Sequence, residues 1–294
     1  MNAKAIRPST GEQMFNGFNI AFMVLLCFLT LYPFWYVICG SLSNPTKLMA
    51  HSGVLLWPID TTLVSYQRML ANPRVWTGYA NTIFYVVAGT AFNIFFTILA
   101  AYGLSRKGCM FNRAVTLMIV FTMYFGGGLI PTYILIKNLG MMETRWALII
   151  PGALSTYNMI ILRTAMAGIP DSLEESAMLD GASRFTILFR IMLPLVMPTL
   201  AVLVLYYGVG HWNSWFSAAI YLSKTPEKQP LQLYLRQVLI ENNVDEVSGD
   251  NDQVGIAQTL KYAVIIIATL PILLLYPFLQ KYFVKGVMVG SLKG

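Results

Sequence analysis

Six times along this sequence the charged residues stop for long enough to suggest a helix crossing a bilayer. The gaps run between Glu12 and Lys47, Arg74 and Arg106, Arg113 and Lys137, Arg145 and Arg163, Arg190 and Lys224, and Lys261 and Lys281. About 20 apolar residues cross roughly 30 Å of hydrocarbon as a helix, and only the fourth gap is marginal by that measure. The runs are continuously apolar rather than alternating, which argues for helices over barrel strands. The expected fold is therefore all-α and integral to the membrane, with six transmembrane helices. Charged residues are 11% of the chain, against roughly 25% in soluble domains, and no low-complexity linker marks off a second, soluble domain.

The first run is much longer than the 7–15-residue core of a signal peptide and no small-x-small site closes it, so it is read as a retained span. Basic residues set the orientation. With six crossings, Lys4 and Arg7, the turn Arg106-Lys107 to Arg113, and Lys281, Lys285 and Lys293 fall on one side, which places both termini in the cytoplasm. The net charge of +7 is then a topology signal, since no Lys/Arg cluster exceeds a pair and a nucleic-acid footprint is excluded. Cys27, Cys39 and Cys109 are too few and too scattered for a disulfide framework or metal site and read as small apolar fillers. The stretch 223–258 is polar and reads as a large solvated periplasmic loop.

One polar segment interrupts the apolar chain. Asp171, Glu174, Glu175 and Asp180 lie within ten residues, and each would cost about 2.5–3.5 kcal/mol at the bilayer centre, so the segment must lie outside the hydrocarbon. Pro170 precedes two overlapping capping boxes, Asp171 to Glu174 and Ser172 to Glu175, which predict a helix start. Leu173, Ala177 and Met178 share one face, Glu174 and Glu175 face out, and Gly181 ends the helix after about two turns. Ser183 is placed to cap the next helix, and Pro194 and Pro198 to kink it.

The run Glu175-Ser-Ala-Met-Leu-Asp-Gly181-Ala182, followed by Ile191-x-Leu193-Pro194, resembles the EAA loop of ATP-binding-cassette (ABC) importer permeases. Ser176 stands where the pattern has its first alanine, a small-for-small change. Also similar to carbohydrate-uptake permeases are the runs Gly127 to Tyr133 and Trp146 to Pro151 with Asn158 and Arg163, the motif His211-Trp-Asn-Ser-Trp215, and the ending Tyr282 to Gly294. The resemblance covers nearly the whole chain, with the second subunit of the maltose permease and polysaccharide-type sugar permeases as relatives.

That resemblance implies the type I importer (MetI-like) permease fold as one domain over 1–294, with a core at 77–281, the EAA loop at 170–194 and a periplasmic loop at 223–258. It implies a subunit of the bacterial inner membrane forming half of a path for an oligosaccharide, the acidic ones such as alginate included. Partners would be a second homologous permease, two nucleotide-binding ATPase subunits and a solute-binding protein. The chain has no Gly-x-x-x-x-Gly-Lys-Ser/Thr, so ATP and Mg are expected on the partners and no cofactor on this chain.

By the same resemblance the ATPase-coupling residues are Glu174, Glu175, Ser176, Ala177, Asp180 and Gly181. Glu175 is assigned to partner contacts, Ala177 and Gly181 to close packing, and Asp180 to the helix end or to partner contacts. Aromatic faces and side-chain amides bind sugar rings, which makes Tyr157, Asn158, Tyr206, Tyr207, Trp212 and Asn213 candidates for the substrate path, beside Ser155, Thr156, His211 and Trp215. Asn158 and Tyr157 are placed near the middle of a short helix facing the lumen, whereas Trp212 and Trp215 read first as a belt at the lipid headgroups. Competing readings are an ion-coupled secondary transporter, for which no ionisable residue sits mid-span, and an ABC importer permease for a non-sugar solute. A membrane enzyme is disfavoured: His51 and His211 are the only histidines, both placed near the outer surface, and no catalytic motif accompanies them.

Overall fold

The structure, a computed structural model, describes residues 9–106, 108, 111–240 and 257–274, and every regular element among them is helical. The described residues form two compact units, residues 9–71 with 257–269 and residues 72–240 with 270–274.

The first unit begins with α1 (Thr10–Ser41). Ser9 Oγ accepts the Glu12 N–H while the Glu12 carboxylate accepts that of Ser9, a complete capping box. Only 6% of its most apolar stretch is buried, and Phe18, Leu25 and Phe28 stand exposed, a surface suited to hydrocarbon. Its C-terminal end is the packed part. Gly40 lies so near the Tyr262 ring that a Cβ there would sit 2.7 Å from it, and Trp35 Nε1 donates to the Leu56 carbonyl at 2.8 Å. Asn44 caps α2 (Pro45–Ala50) by accepting from Thr46 and Lys47 N–H. Lys47 pairs with Asp60 at 2.8 Å and, with its hydrogen bond, holds that exposed carboxyl below the usual carboxylate range. On α3 (Val64–Ala71), Ser65 donates to Thr259 Oγ1 at 2.9 Å.

The second unit is organised by α4 (Pro73–Ser105), 33 residues long with a π-helical turn at Tyr85–Gly89. Next come α5 (Asn112–Tyr124) and α6 (Leu129–Asn138), which meet at 110° across three glycines, 126–128. Gly128 takes φ +85°, a conformation glycine adopts without steric cost. Short helices follow, α7 (Trp146–Ile149), α8 (Thr156–Ala167) and α9 (Asp171–Leu179). The chain continues through α10 (Arg184–Leu195) into α11 (Met197–Trp212), bent by 86°. Pro194 and Pro198 flank that bend, as expected of residues that cannot donate to the helix ladder. The unit continues with α12 (Phe216–Tyr221) and α13 (Leu231–Ile240); the last described helix, α14 (Ala257–Leu274), belongs to the first unit through residue 269.

The core of the second unit joins the C-terminal half of α4 to α8, α9, α10 and α11. Ile98, Ala101, Met159, Leu162, Met166, Ala177, Ile187, Met192 and Leu203 form one buried cluster. Met159, Leu162 and Met166, spaced along one face of α8, are fully enclosed, so truncating any of them would cost about 2–5 kcal/mol.

Two departures from the sequence reading appear here, in the polar stretch after residue 223 and at Cys27, while the described residues account for part of the expected six spans. Among the described residues, three helices are individually long and apolar enough to cross a membrane, five if each bent pair is one span. The fourth apolar run gives only α7, a turn at Pro151-Gly152, and the 12-residue α8, about 18 Å at 1.5 Å per residue. The polar stretch after residue 223 is not all solvated loop. Leu231, Leu233, Tyr234, Leu235 and Val238 of α13 are buried, the Leu231 N–H bonds Thr82 Oγ1 at 2.9 Å, and Asn81 Nδ2 donates to the Glu227 and Gln229 carbonyls. Residues 241–256, with the acidic half of that loop, and 275–294, with the Tyr282 to Gly294 ending, lie outside the described residues. Finally, Cys39 is a buried filler as expected, but Cys27 is exposed on α1, and Cys109 is outside the described residues.

Candidate functional site

The charged turn between α8 and α10 is built on α9, nine residues long. Pro170 occupies the N-cap without a side-chain bond, so neither predicted capping box forms; Asp171 and Ser172 already lie within the first turn, and Glu174 is engaged elsewhere. Asp180 stands at the C-cap, where the sequence put the helix end. Beyond it Gly181 takes φ +79°. The Gly181 N–H bonds the Met178 carbonyl at 3.0 Å and the Ala182 N–H the Ala177 carbonyl at 2.9 Å, a Schellman closure that a left-handed glycine makes possible. Ser183 then caps α10 by accepting the Thr186 N–H.

The faces of α9 differ from the sequence expectation. Leu173 and Met178 are 45% and 41% exposed, whereas the inward face consists of Ala177 and Glu174. Glu174 is only 5% exposed. Its Oε2 accepts from Arg106 Nη1 at 2.9 Å and its Oε1 from the Tyr102 hydroxyl at 2.9 Å. Arg106 also donates from Nη2 to the Met166 carbonyl at 2.7 Å and from Nε to Ser105 Oγ at 3.0 Å, with Asp171 3.8 Å away. One guanidinium thus joins the end of α4, the last turns of α8 and the middle of α9. Removing one partner of a buried pair of this kind costs about 3–5 kcal/mol, because the other is left as an uncompensated charge.

Nearby backbone acceptors are equally well satisfied. The Leu104 carbonyl receives Arg163 Nε at 2.8 Å and Asn112 Nδ2 at 2.9 Å, supplying the donors that the C-terminal carbonyls of α4 lack within the helix. Glu175, Ser176, Asp180 and Gly181 are exposed. What α9 presents outward is therefore Asp171, Ser172, Glu175, Ser176 and three exposed apolar side chains, Leu173, Met178 and Leu179, on a helix anchored from beneath.

The substrate-path candidates do not form one surface. Asn158 is buried as the third residue of α8, next to its Ser155 cap, and not at the helix middle; neighbouring Tyr157 is 58% exposed. Tyr207 is buried, its hydroxyl 2.8 Å from Thr97 Oγ1 and accepting the Ser155 N–H at 3.1 Å. Tyr206 and Asn213 are exposed. Trp212 is packed inside the unit beside Tyr79, while Trp215 carries the Arg236 guanidinium 3.6 Å over its ring. His211 is held inside the unit by Asn93, Nε2 to Oδ1 at 2.7 Å. Gly89 makes that approach possible, since a Cβ there would meet the imidazole at 2.5 Å. An apolar cavity of about 490 Å³ runs between Val86, Ile94, Ala201, Leu205 and Ile272, without the dense hydrogen-bonding groups a sugar needs.

Sequence reasoning missed Arg106, Tyr102, Asn93 and Thr97. In the sequence Arg106 serves only as a marker of orientation. The available signal was its position at the end of an apolar run, on the same predicted side as four carboxylates. No group of three or more His, Cys, Asp or Glu side chains able to hold a metal occurs among the described residues.

Comparison with known proteins agrees with this architecture. Residues 6–289 match the family described as binding-protein-dependent transport system inner membrane component. Protein LplC of Bacillus subtilis (strain 168) is 40% identical over 284 residues, 96% of each chain. The polygalacturonan/rhamnogalacturonan transport system permease protein YtcP of the same strain is 37% identical over 288 residues, 96% of this chain and 99% of its own. A chain in the crystal structure of a bacterial ABC transporter involved in the import of the acidic polysaccharide alginate has a TM-score of 0.88 at 31% identity, covering 95% of this chain and 100% of that one. With the match running almost from end to end, the chain belongs to the inner membrane components of binding-protein-dependent transport systems.

Proposed function

We propose that this chain is the permease subunit of an ABC importer that carries an acidic oligosaccharide, and that α9 is the helix through which ATP hydrolysis in partner subunits drives it. The observation that carries the reading is the construction of α9: a short helix closed by a left-handed glycine, exposing Glu175 and Ser176 while Ala177 and Glu174 fasten it to the core. A cleft in an ATPase subunit would receive the outward face, with Glu175 making the polar contact. The acidic substrate class is supported by the polygalacturonan system of one relative and the alginate importer of the structural neighbour.

Six crossings are proposed, with α7 and α8 contributing the fourth, in one permease domain whose termini and α9 face the cytoplasm. The ion pair between Arg106 and Glu174 supports this arrangement, because it brings the turn after α4 and α9 to one end of the second unit. A second permease would complete the path, and the loop after α13 would reach toward a solute-binding protein. Of the path candidates, Tyr157, Tyr206 and Asn213 remain available to a ligand, whereas Tyr207 and Trp212 serve the interior.

Transport requires two arrangements of the bundle, biased by ATP at one end and by the loaded binding protein at the other. The test is uptake of a labelled oligogalacturonate by the reconstituted complex. Uptake should require ATP and the binding protein and be indifferent to collapsed ion gradients. It should vanish in Gly181→Phe, which inserts normally but cannot hold φ +79° without strain. Uptake driven by an ion gradient, or normal uptake by Gly181→Phe, would overturn the reading.

A further inference from the structure

We propose that Arg106 and Glu174 are positioning residues that make α9 and the C-terminal half of α4 move as one body, so that Glu174 acts within the subunit and leaves its neighbour Glu175 alone for the partner. This rests on the coupling role proposed for α9.

The chain itself attaches α9 weakly. On one side lies the turn at 168–170, ending in Pro170, which has no N–H to bond; on the other, the Schellman bonds of Gly181 and Ala182 run back to α9 itself and tie it to no other helix. Ala177 adds a single small side chain to the core. A push on α9 would be lost in these two joints if nothing else crossed the gap. Arg106 crosses it. Its Nη1 holds Glu174, its Nη2 holds the Met166 carbonyl of α8, and its own backbone ends α4. Tyr102, one turn back on α4, holds the second Glu174 oxygen, so the carboxylate is gripped at both oxygens by the same helix. Arg106 and Glu174 are 9% and 5% exposed, so the pair is little screened by water or salt. Displacement of α9 is therefore delivered to α4 and α8 together. α4 in turn carries Thr97 and Asn93, which bond Tyr207 and His211 on α11.

Spin labels at two exposed positions, Leu179→Cys on α9 and Gly103→Cys on α4, in a full complex whose partner subunits are cysteine-free and whose permease chain has lost its three native cysteines, report the joint without reference to any substrate. One narrow distance, unchanged by ATP, is expected with Glu174 in place. Broadening is expected in Glu174→Ala, with a smaller effect in Glu174→Gln, which keeps the side-chain shape, and in Tyr102→Phe. In proteoliposomes with labelled oligogalacturonate, the ATP consumed per sugar moved should rise about tenfold in Glu174→Ala, at equal amounts of assembled complex. A loss of stability alone would lower the amount and leave that ratio unchanged. Were the distance as narrow in all three variants as in the wild type, or the ratio unaltered, the joint would be refuted while coupled uptake by the wild type still stood. Absence of ATP-driven uptake in the wild type, with the distances behaving as expected, would instead refute the transport reading.

Discussion

Tyr207 on α11 meets Thr97 on α4 hydroxyl to hydroxyl at 2.8 Å, and the same phenol oxygen takes the backbone N–H of Ser155 at the start of α8 at 3.1 Å. Three helices share one buried oxygen. Tyr207→Phe strips the Ser155 N–H and the Thr97 hydroxyl of this partner, at about 1–3 kcal/mol. Thermal unfolding of the purified complex should register it as a lowered midpoint. Tyr206→Phe, at an exposed position, should leave the midpoint within error.

Gly89 should tolerate no side chain. A Cβ would lie 2.5 Å from His211 Nε2, and both the ring and its bond to Asn93 would have to shift, which overpacking estimates put at about 1–3 kcal/mol. The same substitution at Gly208, where the nearest atom to a Cβ is 3.8 Å away, should be nearly silent. A Gly89→Ala midpoint equal to that of Gly208→Ala would mean that His211 is not fixed as described.

Glu143 ties down the segment before α13. Its carboxylate accepts from Lys224 N–H, Ser223 Oγ and Thr225 Oγ1, and its carbonyl accepts from Lys228 Nζ. Glu143→Ala removes the side-chain set and should expose residues 222–230 to limited proteolysis, with faster cleavage there and little change elsewhere. Uniform cleavage kinetics would count against it.

Within α9 the neighbouring small residues should part ways. Ala177 is 9% exposed against Ile187 and Met166 in the core cluster, so Ala177→Leu should destabilise the subunit by about 1–3 kcal/mol. Ser176 is exposed, and Ser176→Ala should fall within about 0.5 kcal/mol of the wild type. Midpoints of the two purified variants decide the matter.

How much of this could be read from the sequence depended on whether the determinant was local. α1 and α4 follow from apolar length, the bend between α10 and α11 from Pro194 and Pro198, and the closure of α9 from Gly181, because each signal lies within the element it shapes. The orientation of α9 did not follow. Hydrophobic spacing turned Leu173 and Met178 inward and both glutamates outward, whereas the actual arrangement depends on Arg106, 68 residues earlier. A carboxylate can be the most buried residue of a polar helix only if a cation waits for it, and no periodicity records that. Likewise α13 was hidden among charged neighbours that read as loop, and its burial depends on Thr82 and Gly78 offering a flat face on α4; a Cβ on Gly78 would lie 3.0 Å from the Leu231 Cα.

The bareness of α1 carries a last implication. Within this subunit, residues 18–31 bury no side chain, so the order of their apolar side chains is close to arbitrary. Shuffling residues 18–31 should leave the subunit inserted, while the same shuffle applied to the C-terminal half of α4 would scatter Asn93, Thr97 and Tyr102 from their partners. One span is interchangeable upholstery and the other is a keyed shaft.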